Sequence, residues 1–431
     1  MNYYLSGRLS QHLLWLACLA GVAGLLASRA LVALSPVVGV LAVLTNPHLR
    51  RDLPEYWRNG AALRGAAMFI FLLISGVYTS EWATWRHELF RYLPWLGVPL
   101  AFALAVPLMG WQRRAVGVLF ILGAAGVGVA TLGQFLRDPA AAIEAIRVGQ
   151  NQTAITGVFH ITFGVMLALA FHFALQLRSR AGAGRAERTL LLLAAAAAAI
   201  VVHALAYRTG LLAFYAALLT VGVRLLARRR WVAAAAVGLG LLLCPFVAYY
   251  SLDSVRTRVG SSLWDFKQYA QDHDLNEHSL GQRLAAIETA GVIIRQHWLL
   301  GVAPADSKAA MQAQYDWKDF GLLPENRVEV HNQYLQALLG GGLVGLALWL
   351  AVLFGPLAHP RLRRDPYVLI FIAVQATTNL VDAVLELQTG LNLFVFAYGF
   401  LMVAGERHWR THPAAQPAEQ TDKLPVGPPL Q

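Results

Sequence analysis

Charge is scarce in this sequence. Of its 431 residues only 14% are Asp, Glu, Lys or Arg, while 57% are hydrophobic. A water-soluble chain of this length would carry roughly a quarter charged residues to cover its surface. Cysteine is nearly missing too. Cys18 and Cys244 both fall inside apolar runs, which excludes a disulfide framework and a cysteine-based metal site. No repeat with the period of a solenoid or propeller is visible, and no separate soluble domain stands out beyond one polar insert.

What is abundant is apolar length. Runs of about 17–20 residues recur from end to end, each long enough to cross a hydrocarbon core. The pattern predicts about twelve spans, near residues 11–28, 30–46, 61–79, 92–110, 115–135, 154–177, 189–206, 209–227, 231–250, 331–355, 367–385 and 389–404. The first follows Arg8 without a small-x-small cleavage site and is read as a helix rather than a signal peptide. The fold class is all-α and polytopic. Spans one to nine occupy 1–250, a long polar insert 251–330, the last three spans 331–405, and a disordered tail 406–431, rich in Pro, Gln and Ala.

The formal charge of +11 could suggest a nucleic-acid partner, but its distribution points elsewhere. Arginines cluster in alternate loops: Arg50, Arg51 and Arg58; Arg113 and Arg114; Arg178, Arg180, Arg185 and Arg188; Arg228, Arg229 and Arg230; Arg361, Arg363 and Arg364; Arg407 and Arg410. That is the positive-inside pattern, and it marks these loops and both chain ends as cytoplasmic. The insert 251–330 then lies on the opposite face. Its eight basic residues stand against eleven acidic ones, a balance unsuited to a polyanion. An anion bound there must be small and held by a few arginines. Within the insert, Ser279 is expected to cap a helix of about 18 residues. Its apolar stripe would be Leu280, Leu284, Ile287, Gly291, Ile294 and Trp298. A second helix is expected from about Asp306 to Phe320, after the Gly301–Pro304 turn.

Candidate chemistry collects on that face. His331 opens the HNQYLQALLGGGLVG run, where a polar segment becomes an apolar helix, and a histidine there offers a donor or acceptor near neutral pH. Arg208, in AYRTG, sits at a tight turn between two spans, a costly place for a guanidinium unless it snorkels or meets an anion. Arg283 lies near the start of the insert helix. The structural reading of Asn332 and Gln333 is that they satisfy free backbone donors at the helix start, while Asn379 and Asp382 sit late in a span, where an ionisable group needs a partner or a cavity. A base, several cations and polar groups on one membrane face suit a lipid-linked sugar diphosphate. Guanidinium groups bind phosphate oxygens in pairs and would stabilise a departing diphosphate without a metal or other cofactor. A histidine is the usual base for an incoming sugar hydroxyl.

The segment GQRLAAIETAGVIIRQHWLLGVAP, followed after a gap by HNQYLQALLGGGLVGLALWL, resembles the core of the O-antigen ligase and polymerase superfamily. The YRTG turn at 207–210, the GQNQT element at 149–153 and the closing NLVDAVLELQTGLNLF stretch are similar to it as well. The resemblance covers roughly residues 145–405. Trp298 stands where a proline is common in that family and Ala303 where a second glycine is usual. With the resemblance, the about 12 transmembrane helices read from the apolar runs would lie in the bacterial inner membrane, and the insert would be a periplasmic helical loop. The resemblance implies an inverting, metal-independent glycosyltransferase of the GT-C-like kind, working in lipopolysaccharide biosynthesis. The donor would be a polysaccharide on undecaprenyl diphosphate and the acceptor the lipid A–core oligosaccharide, with membrane lipids as further partners and no nucleic acid. His331 would be catalytic, and Arg208 and Arg283 would bind the diphosphate. Asn332, Tyr334, Asp382, Arg147 and Gln150 are possible supporting residues. O-antigen polymerase and protein O-oligosaccharyltransferase use the same donor and remain alternatives. The insert's length and its H-N-x-Y-L pattern favour the ligase. A lipid-linked glycan transporter is the alternative of another class; it would need charged groups deep in several spans, whereas here the ionisable groups collect at one face and the mid-span candidates are few (His160, His172 and His203).

Overall fold

The computed structural model describes residues 2–411 apart from 148, 181, 183, 272 and 273. Among these residues every regular element is helical. Eight helices are long and apolar enough to cross a membrane: Arg8–Ala27, Gly110–Phe135, His160–Arg178, Arg185–Ala204, Arg208–Ala227, Trp231–Ser251, Gln333–Ala358 and Gln388–Arg410. Arg29–Leu44, Gly60–Ser75 and Pro366–Val381 are apolar but shorter. At 1.5 Å per residue, 16 residues reach only about 24 Å, less than the roughly 30 Å core. The span expected at 92–110 is a kinked pair instead: Pro94, which cannot donate to the turn behind it, separates Trp82–Tyr92 from Pro94–Leu104. The chain is thus an all-helical, multi-pass membrane protein. The tail expected from 406 begins later, because Ala404–Thr411 is helical; residues 412–431 lie outside the described residues.

The two ends of the bundle differ in chemistry. At one end the arginine clusters are joined by ion pairs between distant segments, such as Arg64–Glu406 at 3.0 Å, Arg407–Asp52 at 3.3 Å and Arg114–Glu187 at 2.7 Å. The insert lies at the other end. Its first helix, Asp253–Ala270, exposes Val259, Leu263, Trp264 and Phe266 and buries Ser254, Arg258, Asp265 and Gln268. Polar groups turned inward and large apolar ones turned outward are the mark of a helix lying in a membrane interface.

The following helix is Ser279–Gln296, 18 residues long as expected. Ser279 does not cap it. Asp265 reaches across from the preceding helix, and its carboxylate accepts the Leu280 amide at 3.0 Å. Nor is the large apolar stripe the buried face: Gly281, Ala285, Ala286, Thr289, Ala290 and Ile293 are buried instead. Small residues admit close backbone approach to neighbouring helices. The second expected helix is shorter, a 3-10 turn Pro304–Asp306 leading into Ser307–Trp317.

The Gly-rich run has a direct structural cause. Within Gln333–Phe354 the backbone breaks at Gly342 (φ 58°, ψ −156°), a conformation open essentially to glycine alone. The 297–302 turn docks into the break. Leu343 and Val344 donate to the carbonyls of Trp298 and Leu299 at 2.8 and 3.4 Å, and Val302 donates to Leu339 at 3.0 Å. The backbone groups freed by the break are therefore paired, as a low-dielectric setting demands. Gly301 fits so tightly that a Cβ there would lie 2.5 Å from the Gly340 carbonyl carbon.

Candidate active site

His331 is placed by its neighbours. Asn332 caps the following helix, its side-chain oxygen accepting the amides of Tyr334 and Leu335, both at 3.0 Å. Its side-chain nitrogen donates to the Leu380 carbonyl at 2.9 Å, and the Tyr334 hydroxyl donates to Ala376 at 3.0 Å. These two bonds stitch the start of one helix to the end of Pro366–Val381, and they bring His331 against Asp382. Nδ1 of His331 lies 3.1 Å from Oδ1 of Asp382. A carboxylate oxygen accepts, so the contact favours the tautomer with the proton on Nδ1, in which Nε2 of the neutral ring holds the free lone pair.

Asp382 is 3% exposed and serves two cationic or protic neighbours at once. Its other oxygen is 3.7 Å from Nη2 of Arg283, whose Nη1 donates to the carbonyl of Val381 at 3.0 Å. Arg283 is four residues beyond Ser279 on the same helix face. Ser279 in turn meets Arg208: Nη2 of Arg208 donates to its hydroxyl at 3.4 Å, while Nη1 donates to Ser262 at 3.1 Å. Arg208 is held there by its turn. Ala206 takes a left-handed conformation (φ 49°), and Gly210 sits so close to Gly164 that a Cβ would lie 2.8 Å from the Gly164 Cα. Two helices touch backbone to backbone, and the arginine lies two residues from the contact.

A third arginine joins them. Arg258, 3% exposed, donates to the carbonyls of Ile146 and Gln150 at 3.3 and 3.2 Å and to the side chain of Asn151. Burial pushes its pKa down to about 10, with the charge of Arg208 acting in the same direction and that of Asp265 opposing. Sequence reasoning missed Arg258 among the basic residues of the insert. The signal was available: Ser254, Arg258, Ser262 and Asp265 recur at helical spacing on the polar side of a helix whose other face is apolar.

His331 and Asp382 also line a cavity of about 810 Å³. Its rim carries Glu88, Arg91, Lys308 and Arg327, and its inner end reaches Met68, Phe71 and Trp349 between the membrane helices. Arg91 is locked in place, donating to Glu88 at 2.7 and 2.9 Å and to Glu386 at 3.0 Å. The histidine therefore has the arginine cluster on one side, through Asp382, and an amphipathic cavity on the other.

The remaining candidates separate. Arg147 is exposed and pairs with Glu144 at 3.3 Å. Gln150 joins only through its main-chain carbonyl. His172 bonds the Phe214 carbonyl at 3.0 Å, and His203 bonds Ala199 and Tyr215, so both knit helices together. His160 stands at its helix start among the charges of Asp382, Arg258, Arg283 and Arg208, closer to the site than its apolar neighbours suggested.

Residues 192–350 match a family model described as O-antigen ligase. The match contains Arg208, Arg258, Arg283 and His331, and it ends before Asp382. No curated protein matches the chain. The matched segment is thus similar to the O-antigen ligase family, and it overlaps the motifs at 207–210, 281–304 and 331–350 that carry the resemblance in the sequence.

Proposed function

We propose that this chain is an O-antigen ligase, which transfers a polysaccharide from undecaprenyl diphosphate to the lipid A–core oligosaccharide at the periplasmic face of the bacterial inner membrane. The observation that carries the reading is the shared carboxylate: Asp382 contacts His331 with one oxygen and Arg283 with the other. A base and a cation are thereby held in fixed relation, which a group transfer with a departing anion requires.

In the proposed step Nε2 of His331 accepts the proton of an acceptor sugar hydroxyl. The hydroxyl oxygen attacks the anomeric carbon from the face opposite the diphosphate, and a new glycosidic C–O bond forms with inversion. The bond from the anomeric carbon to the diphosphate oxygen breaks, and its electron pair leaves with the lipid diphosphate. Arg208 and Arg283 stabilise that charge, with Arg258 behind Arg208. Asp382 holds the imidazole in the tautomer that can accept a proton and steadies the imidazolium that forms. The 810 Å³ cavity, polar at its rim and apolar within, suits an acceptor whose sugars stand in water and whose acyl chains lie in lipid.

The test is a transfer assay in detergent with purified protein, lipid-linked glycan and lipid A–core, run with a chelator present. Product that requires His331 supports the reading. Product formed with a second lipid-linked glycan in place of lipid A–core would make the chain a polymerase. Facilitated movement of the donor across vesicle membranes without new glycosidic bonds would make it a transporter.

A further inference from the structure

A second large cavity, about 650 Å³, lies at the arginine-rich end of the bundle, away from His331. Its inner wall is apolar, formed by Val22, Leu25, Phe120, Ile121, Leu169 and Phe173. Its polar end is formed by Arg113, Arg114 and Arg180, with Tyr367 beside them. Pockets of this size hold ligands of several hundred daltons.

The polar end has donors in excess of acceptors. Asp365 in its lining accepts the Tyr367 amide at 2.8 Å, and Glu187, outside the lining, accepts from Nε of Arg114 at 2.7 Å. Arg113 and Arg180 form no ion pair among the described residues; they stack on Phe400 and Tyr367, at 5.9 and 4.5 Å from the ring centroids. Two further donors, Nη2 of Arg114 and the Tyr367 hydroxyl, are buried and have no hydrogen-bond partner among the described residues. Buried donors of this kind cost free energy unless an acceptor reaches them. An acceptor-rich anion with an apolar tail answers both halves of the cavity. Arginine forks match phosphate oxygens, and basic groups at a membrane surface select anionic headgroups.

We infer that this cavity is a binding site for an anionic phospholipid, its phosphate held by Arg113, Arg114, Arg180 and the Tyr367 hydroxyl and its acyl chain lying between the helices. It is distinct from the site around His331 and asks nothing of the transfer reaction.

Native mass spectrometry of the full chain in mild detergent tests this, with phosphatidylglycerol and phosphatidylcholine offered in equal amounts. Wild-type protein should retain phosphatidylglycerol in preference, and Arg113→Gln/Arg180→Gln should lose that preference by on the order of tenfold. Gly117→Phe offers a second route, because a Cβ there would meet only Leu177, at an ordinary 3.7 Å. It should lower retention of the lipid with all three arginines intact. Equal retention of the two lipids by the wild type would overturn the inference. So would an unchanged preference in the arginine variant, unchanged retention in Gly117→Phe, or complete displacement by excess inorganic phosphate, which has no tail.

Discussion

Nδ1 of His331 stands 3.1 Å from Oδ1 of Asp382, a carboxylate that is itself almost wholly buried. If this contact fixes the imidazole tautomer, Asp382→Asn should lower kcat far more than it changes KM, by on the order of 10²–10⁴-fold, as for carboxylates that orient a catalytic histidine. Steady-state transfer kinetics check it. A loss confined to KM would show that Asp382 serves substrate binding alone. His331→Ala should abolish transfer, and near wild-type turnover by that variant would remove the base from the mechanism.

Arg208 and Arg283 are expected to act on the departing diphosphate. Removing one donor to a developing oxyanion costs about 3–4 kcal/mol in comparable sites, so Arg283→Ala should reduce kcat by roughly 10²–10³-fold. Arg208→Lys keeps the charge but loses the two-pronged fork, and it should fall between the wild type and Arg208→Ala. Equal activity of Arg208→Lys and wild type would mean that only net charge matters at that position.

Arg258 plays a different part. Its guanidinium ties the carbonyls of Ile146 and Gln150 to the insert helix, while the Tyr207 hydroxyl holds the carbonyl of Gln152 at 2.8 Å. Arg258→Gln should free the 146–152 segment, seen as faster amide hydrogen exchange there. If Arg258 is a positioning residue, the variant should also raise KM for the lipid-linked donor more than it lowers kcat. Unchanged exchange with lost activity would instead put Arg258 in contact with substrate.

The sequence carried the bundle, the polar insert and four of the residues that meet: Arg208, Arg283, His331 and Asp382. Arg208 and His331 stood at span boundaries and Asp382 late in a span, where a polar side chain in an apolar sequence is conspicuous, while Arg283 stood out beside the apolar stripe of the insert helix. Arg258 was harder to see because it sits in a segment already rich in charge, where burial depends on tertiary packing rather than on neighbours in sequence. The buried face of Ser279–Gln296 was misplaced for a related reason. Apolar periodicity assumes that large side chains face inward, and beside a membrane the small residues take the protein contacts while the large ones stay at the boundary. Span lengths were overestimated where an apolar run crosses a proline, as at Pro94.

Asp306 gives the insert a pH dependence. Thr79 donates to one of its oxygens; the Ser80 amide and hydroxyl donate to the other, both at 2.8 Å; and the Glu81 amide approaches at 3.2 Å. Burial raises the pKa of this carboxyl, but these hydrogen bonds outweigh it and hold the pKa below its ordinary value of 3.8. A depressed carboxylate contributes stability that is complete above its unfolded value and is lost as pH falls through its folded value. Thermal unfolding in detergent should therefore show wild type more stable than Asp306→Asn at neutral pH. The gap should close only when the pH drops below the ordinary carboxylate range. A gap independent of pH would sink the assignment.

The last test uses a departure from the family pattern. Ala303 has φ 81° and ψ 141°, in a region that non-glycine residues enter at a cost of about 1–3 kcal/mol. Gly301, two residues earlier, has φ 70° and no room for a Cβ. The two positions should respond with opposite signs. Gly301→Ala adds both strain and a clash with the backbone of Gly340, and it should destabilise by about 3 kcal/mol or more. Ala303→Gly relieves strain but loses one buried methyl, about 0.8 kcal/mol, and adds unfolded-state freedom, about 0.4–1 kcal/mol. These terms leave a net change between about 1 kcal/mol destabilising and about 2 kcal/mol stabilising, on the stabilising side for mid-range strain. Thermal unfolding of the two single variants in one detergent measures both. A large loss on Ala303→Gly would show that packing of the methyl group, not backbone strain, governs the turn that docks beneath His331.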